Sequence, residues 1–194
     1  MVSVPARILE APRVVYSGGP QNVSEASWNL RGVKFLKGST GSWACVVIGD
    51  GRESAIEICK ELGNICNRSG VALPALQPQM IVPVRVPDDN QLTSCFSELK
   101  RRGAKIILVL LPTQDKATYS LIKTVGDVKI GLSTVCARMS EIRKMSPQYF
   151  GNLALKFNIK LGGRNHGLPR DSLGMLKDHP TMIVRTRPVI TTIG

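Results

Sequence analysis

The sequence predicts an α/β fold, a Rossmann-like and mostly parallel sheet flanked by helices. Two continuous apolar runs, Trp43–Ile48 and Ile106–Leu111, have the pattern of strands covered on both faces. Between and after them, apolar residues recur every three or four positions, the period of helices with one buried side. At 194 residues and 43% apolar content, the chain is long enough for one sizeable core.

The elements follow in order. Residues 1–40 lack a sustained period and are rich in turn formers (Pro12, Gly18-Gly19-Pro20, Gly32, Gly38-Ser39), with Val14-Val15-Tyr16 and Val33-Lys34-Phe35-Leu36 as short candidates for edge strands. After the strand from Trp43, Gly49-Asp50-Gly51 makes a turn. Ala55, Ile58, Cys59, Leu62, Ile65 and Cys66 then mark an amphipathic helix ending near Gly70. Met80 to Val86 reads as another strand, and Pro83 within it argues for an edge or irregular position, because proline has no N–H for a ladder. Leu92, Cys95, Phe96 and Leu99 define a helix closed by Lys100-Arg101-Arg102-Gly103, cations where the helix dipole favours them. Beyond Ile106–Leu111 come a polar loop, a short helix through Tyr119 and Lys123, and a strand over Lys129 to Cys136. Ser146-Pro147 opens the last helix, with serine as expected N-cap and Phe150, Leu153, Ala154, Phe157 and Leu161 as its apolar stripe.

Composition narrows the functional classes. No run reaches membrane-spanning length, and the N-terminus lacks the charged-then-apolar pattern of a secretory signal, so a cytoplasmic protein is expected with no membrane association. Cys45, Cys59, Cys66, Cys95 and Cys136 are scattered without a Cys-x-x-Cys pair, and only 2 histidines accompany them. Reduced thiols are expected, with no metal site and no cofactor. Gly49-Asp50-Gly51 lacks the third glycine of a dinucleotide loop. The net charge of +12 is concentrated: Leu99 to Arg164 holds 13 Lys and Arg against 3 acids (Asp115, Asp127 and Glu141). Such a localised basic field is the footprint expected for a polyanion partner.

Four side chains stand out within that basic stretch. Tyr119 and Lys123 are one helical turn apart and share a face, as do Lys156 and Lys160 further on. An aromatic ring can stack on a nucleobase while ammoniums neutralise a phosphate as point charges. In a parallel α/β sheet ligands bind beyond the carboxyl ends of the strands, where the loop Thr113, Gln114, Asp115, Lys116, Ala117, Thr118 and the turn after Cys136 are expected.

Leu111-Pro112, Tyr119-x-x-x-Lys123, Val125-Gly126-Asp127, Gly131 to Cys136 and the string Asn152-Leu153-Ala154-Leu155-Lys156-Phe157-Asn158-Ile159-Lys160-Leu161-Gly162-Gly163 occur in an order and spacing that resemble the MID domain of eukaryotic Argonaute proteins. The last string is the most specific. Arg7 to Pro12 and Ser27-Trp28-Asn29-Leu30-Arg31-Gly32 resemble the linker preceding that domain, and Thr181-Met182-Ile183-Val184 resembles the opening strand of PIWI. The whole is most similar to a filamentous-fungal Argonaute of the quelling type. On this resemblance residues 1–40 are a linker packed on the domain with Trp28 as a packing anchor, 41–163 the MID domain, and 164–194 the start of PIWI or a non-native tail.

The resemblance implies a small-RNA guide partner in RNA silencing, bound through its 5'-monophosphate and first base. Tyr119 would stack under the base and offer its hydroxyl to the phosphate. Lys123 and Lys160 would contact the phosphate, with Lys156 close by and Thr134 and Cys136 beside them; Thr113 to Thr118 would form the specificity loop. A terminal phosphate carries nearly two charges at neutral pH, so converging cations favour it over a 5'-hydroxyl. The PAZ and PIWI domains of the same full-length chain are the implied protein partners, and no cleavage is expected, because the family's acidic metal-binding residues lie outside this segment. Val135 departs from the pattern, since many animal and plant relatives have glutamine there. Arg138, Arg143, Lys144 and Arg164 are open to two readings, further phosphate contacts or a solvated surface. Two other classes stay in view, a nucleotide-using enzyme on a Rossmann-like sheet and a protein-interaction domain with a basic face.

Overall fold

The computed structural model describes residues 12–25 and 27–182. Most of the linker-like segment from Arg7, and the strand expected from Thr181 onward apart from its first two residues, lie outside them. Four parallel strands form the central sheet: β3 (Trp43–Ile48), β4 (Ile81–Val84), β5 (Ile106–Leu111) and β6 (Ser133–Arg138), in the spatial order β4-β3-β5-β6. This is the predicted Rossmann-like α/β class. The two central strands, β3 and β5, are buried along their whole length, which explains their unbroken apolar sequence. The proline-bearing β4 takes one edge, and β6 takes the other.

Two helical layers cover the sheet. On one face α1 (Arg52–Arg68) and α5 (Pro147–Lys160) bury Ile58, Leu62, Phe150 and Phe157 against Cys45, Val47, Leu108, Leu110 and Val135. On the other, α2 (Asp89–Arg101), α3 (Lys116–Lys123) and the segment after α3 bury Leu92, Phe96, Ile122 and Val125 against Ala44, Val46, Ile107 and Val109. Alternate residues of one strand thus serve opposite cores, as the pleat requires.

Several local expectations are corrected. Val14–Tyr16 (β1) does not extend the main sheet; it pairs with Gly19–Gln21 (β2) as a separate hairpin, and Val33 to Leu36 forms no strand. That stretch bonds loops instead: Phe35 N–H donates to Ser69 C=O and Leu36 N–H to Asn165 C=O, both at 2.9 Å. The helix of Tyr119 begins three residues earlier, at Lys116, because the Asp115 carboxylate accepts from the Ala117 and Thr118 N–H groups and caps it. The strand expected from Lys129 starts only at Ser133: Thr124–Ile130 continues α3 as a π-helical segment that ends at Gly131, whose left-handed backbone (φ 65°) suits glycine. Ser146 occupies the N-cap of α5, but its hydroxyl makes no capping bond. A four-residue helix, α4 (Met139–Ile142), precedes α5.

Candidate functional site

The edge strand β6 is where the two helical layers come around the sheet and meet. Thr134 and Cys136 point to the α2/α3 side, while Val135 between them is 2% exposed and packs into the α1/α5 core. Position 135 therefore offers no polar atom here, and Thr134 supplies the hydroxyl.

A charged network is built on that hydroxyl. Lys123, at the end of α3, donates to Thr134 C=O at 2.6 Å and to Thr134 Oγ1 at 2.8 Å. Thr134 in turn donates its hydroxyl and its backbone N–H to Asp127 Oδ1, each at 3.0 Å. The other oxygen of Asp127 lies 3.6 Å from Lys123 Nζ and 3.7 Å from Lys160 Nζ. Lys123 comes from one face of the sheet and Lys160 from α5 on the other, so the contact spans the open side of β6. Partial burial pushes the Asp127 carboxyl up, but the Thr134 hydroxyl and the Lys123 and Lys160 ammoniums outweigh it and hold it below the usual aspartate range. The Cys136 thiol is pushed up by burial, and the charges acting on it are Lys123, Asp127, Lys156 and Lys160. Lys156 thus belongs to the same charged neighbourhood.

Tyr119 stands at the rim. Its ring centroid is 5.7 Å from Lys123 Nζ, and 47% of the residue's surface is exposed, leaving ring area for a stacking partner. Beside it a cleft of about 380 Å³ is lined by Leu111, Gln114, Asp115, Lys116, Tyr119, Cys136, Arg138 and Tyr149, a volume at the small end of ligand sites. This cleft lies at the carboxyl ends of β5 and β6, whereas the charged network runs along the amino half of β6.

The structure accordingly brings Tyr119, Lys123, Thr134, Cys136, Lys156 and Lys160 to one edge of the sheet. Of the loop residues, Gln114, Asp115 and Lys116 line the cleft; Thr113, Ala117 and Thr118 do not, and Thr118 donates its hydroxyl to Asp115. Two participants were missed by sequence reasoning. Asp127 appeared only as part of a motif, since nothing in its spacing reveals a π-helical turn, and Tyr149 lies in the first turn of α5, off its apolar stripe. Among the further basic residues, Arg138 donates to Gln114 Oε1 at 3.1 Å, Lys144 pairs with Glu141 at 2.9 Å, and the Arg143 guanidinium lies against Gly51. Arg164 is held through its backbone, bridged to Lys37. Among the described residues no group of three or more His, Cys, Asp or Glu side chains is placed to hold a metal ion, and no helix is long and apolar enough to cross a membrane.

Residues 106–186 match the family model of the Piwi domain, a match that begins at β5. The rice protein argonaute 1B is 32% identical over 203 residues, covering 94% of this chain and 18% of the relative. The chain spans about a fifth of the length of the curated relatives it matches. Among solved structures, the MID domain of Arabidopsis thaliana AGO5 superposes with a TM-score of 0.59 at 27% identity, covering 68% of this chain and 96% of that one. The MID-PIWI domains of N. crassa QDE-2 superpose with the same TM-score at 26% identity, over 69% of this chain and 38% of that one.

Proposed function

Given that the chain is an Argonaute MID-domain region with the start of a Piwi domain, we propose that it anchors the 5'-terminal nucleotide of a small guide RNA in RNA silencing, holding the 5'-monophosphate between Lys123 and Lys160 with the first base on Tyr119. The strongest support is the convergence of these two ammoniums, from opposite faces of the sheet, on a single carboxylate oxygen beside a half-exposed tyrosine ring. A carboxylate and a phosphate are both oxyanions, so side chains arranged around one are arranged to bind the other.

Lys123 and Lys160 donate to the phosphate oxygens, Lys156 adds long-range attraction, and the Thr134 hydroxyl and Cys136 line the floor. The Tyr119 ring stacks on the base, worth about 1–3 kcal/mol, and its phenol reaches the phosphate. Thr113 to Thr118 border the base, with Gln114 fixed by Arg138 in the cleft wall. In the division that goes with this reading, residues 1–40 are the linker, 41–163 the MID domain and 164–194 the start of PIWI or a non-native tail. The segment binds its RNA and does not cut it, works in the cytoplasm, and shares its guide with the PAZ and PIWI domains of its full-length chain. A fungal, quelling-type protein is the finer placement, supported by the likeness to the N. crassa MID-PIWI structure.

The test compares one RNA sequence carrying a 5'-phosphate or a 5'-hydroxyl by fluorescence anisotropy at moderate salt. The phosphorylated form binds more tightly to the wild-type chain. Lys123→Ala and Lys160→Ala each reduce that preference by about tenfold or more, equivalent to about 1.4 kcal/mol. Arg101→Ala leaves it unchanged, because Arg101 is paired with Glu98 on α2. Equal affinity of the wild type for the two ends, or a larger effect from Arg101 than from the lysines, overturns the proposal.

A further inference from the structure

We propose that Asp127 sets the charge of this pocket and thereby makes it selective for a terminal monophosphate over a terminal triphosphate. The inference rests on the 5'-phosphate reading above and adds to it a residue that the lysine-and-tyrosine set does not contain.

The charges that act on the Cys136 thiol, at the floor of the site, are Lys123, Lys156, Lys160 and Asp127. Along the amino half of β6, apart from the Asp115, Lys116 and Arg138 side chains of the neighbouring cleft, these three cations and one anion leave a surplus of two positive charges, which matches the nearly doubly ionised monophosphate at neutral pH. Asp127 is fixed as the anionic member. Its Oδ1 is occupied by two donors from Thr134, and its Oδ2 lies within 3.7 Å of both site lysines. Those lysine contacts are longer than hydrogen bonds, so Asp127 neutralises the ammoniums without using up their N–H donors. A triphosphate brings about two further charges, one for each added phosphate, to a site whose surplus is already matched, and the Asp127 carboxylate repels them from the floor. With the carboxylate neutral the surplus becomes three, and the more highly charged end gains more from the change than the monophosphate does.

Affinities of one RNA sequence ending in 5'-hydroxyl, 5'-monophosphate or 5'-triphosphate are measured for the wild-type chain and for Asp127→Asn, whose amide oxygen can still accept from Thr134. The wild type prefers monophosphate to triphosphate. In Asp127→Asn triphosphate binding strengthens relative to monophosphate by about five- to tenfold, the size of a partly exposed charge interaction, while both phosphorylated ends still exceed the hydroxyl. Wild-type affinity for triphosphate equal to or above that for monophosphate overturns the inference without any variant, and so does an unchanged or widened ratio in Asp127→Asn. Failure of the wild type to prefer monophosphate to hydroxyl overturns instead the reading on which the inference stands.

Discussion

At the scale of single residues, the string that carries the family resemblance divides into side chains that face the site and side chains that build it. Lys156 and Lys160 are presented by α5, but Asn158, Gly162 and Gly163 work beneath. Gly162 has the left-handed backbone (φ 84°) that ends α5, and the Gly163 N–H closes the cap on Asn158 C=O at 2.8 Å. A Cβ on Gly163 would fall 2.1 Å from Asn158 Oδ1. Asn158 is fully buried and cannot yield, because its amide donates to Lys37 C=O at 3.1 Å and to Asn165 Oδ1 at 2.9 Å. Gly163→Ala must therefore break those bonds or shift the cap, and is expected to cost about 2–3 kcal/mol. A lower urea midpoint with an unaltered 5'-phosphate preference is the expected result; a changed preference at full stability would show that Gly163 touches the ligand. The paired lysines were legible in the sequence because helical spacing alone puts them on one face. The role of Asn158 was not, because its partners Lys37 and Asn165 come from loops whose meeting no local pattern encodes.

At the scale of elements, the π-helical segment Thr124–Ile130 decides where the charged network sits. The segment carries Asp127 against Thr134, and π segments are found disproportionately at functional sites. What seats the segment on the sheet is a buried glycine. A Cβ on Gly126 would stand 2.5 Å from Thr134 Cγ2 and 3.3 Å from both Leu132 C=O and the Phe96 ring. Gly126→Ala pushes the segment away from β6 at a cost of about 1–3 kcal/mol. Because Thr134 is the residue displaced, it also disturbs the bonds that orient Lys123 and Asp127. Denaturation and 5'-phosphate preference should both weaken, in contrast to Gly163→Ala; a stability loss with the preference intact would separate the segment from the site. The strands and long helices were readable because buried parallel strands and amphipathic helices leave distinct periods. A seven-residue π turn has no such period, which is why Lys129 and Ile130 read as strand.

At the scale of the whole molecule, the arm before the sheet is part of the core. Val14, Tyr16, Val33 and Phe35 are buried in the same cluster as α1 and α5, and Trp28 donates its indole N–H to the Tyr16 hydroxyl at 2.8 Å while meeting His166 edge-on at 5.6 Å. The turn-rich sequence of the arm offered only two short strand candidates, and Trp28 was expected as a packing anchor from the linker resemblance of Ser27 to Gly32. The arm also clasps the chain after α5, through the antiparallel bridges Val15 to Gly167 and Lys37 to Arg164. Lys37 C=O, moreover, is one of the acceptors that hold Asn158. Removing residues 1–40 thus takes four buried side chains out of the core, each worth on the order of 1.5–3 kcal/mol when fully buried, and deletes the carbonyl that accepts from Asn158 near the end of the Lys160 helix. The ordering entropy of the arm offsets part of this, but a net loss is expected, because the core packed against those four side chains loses its cover and a shared hydrogen-bond network loses a member. A chain starting at Gly41 should melt at a lower temperature and bind a hydrophobic dye that the full chain does not. Its 5'-phosphate preference should weaken through Lys160 more than through Lys123, which α3 and β6 hold independently of the arm. Equal melting temperatures for the two chains would mean that the arm lies on the domain without supporting it.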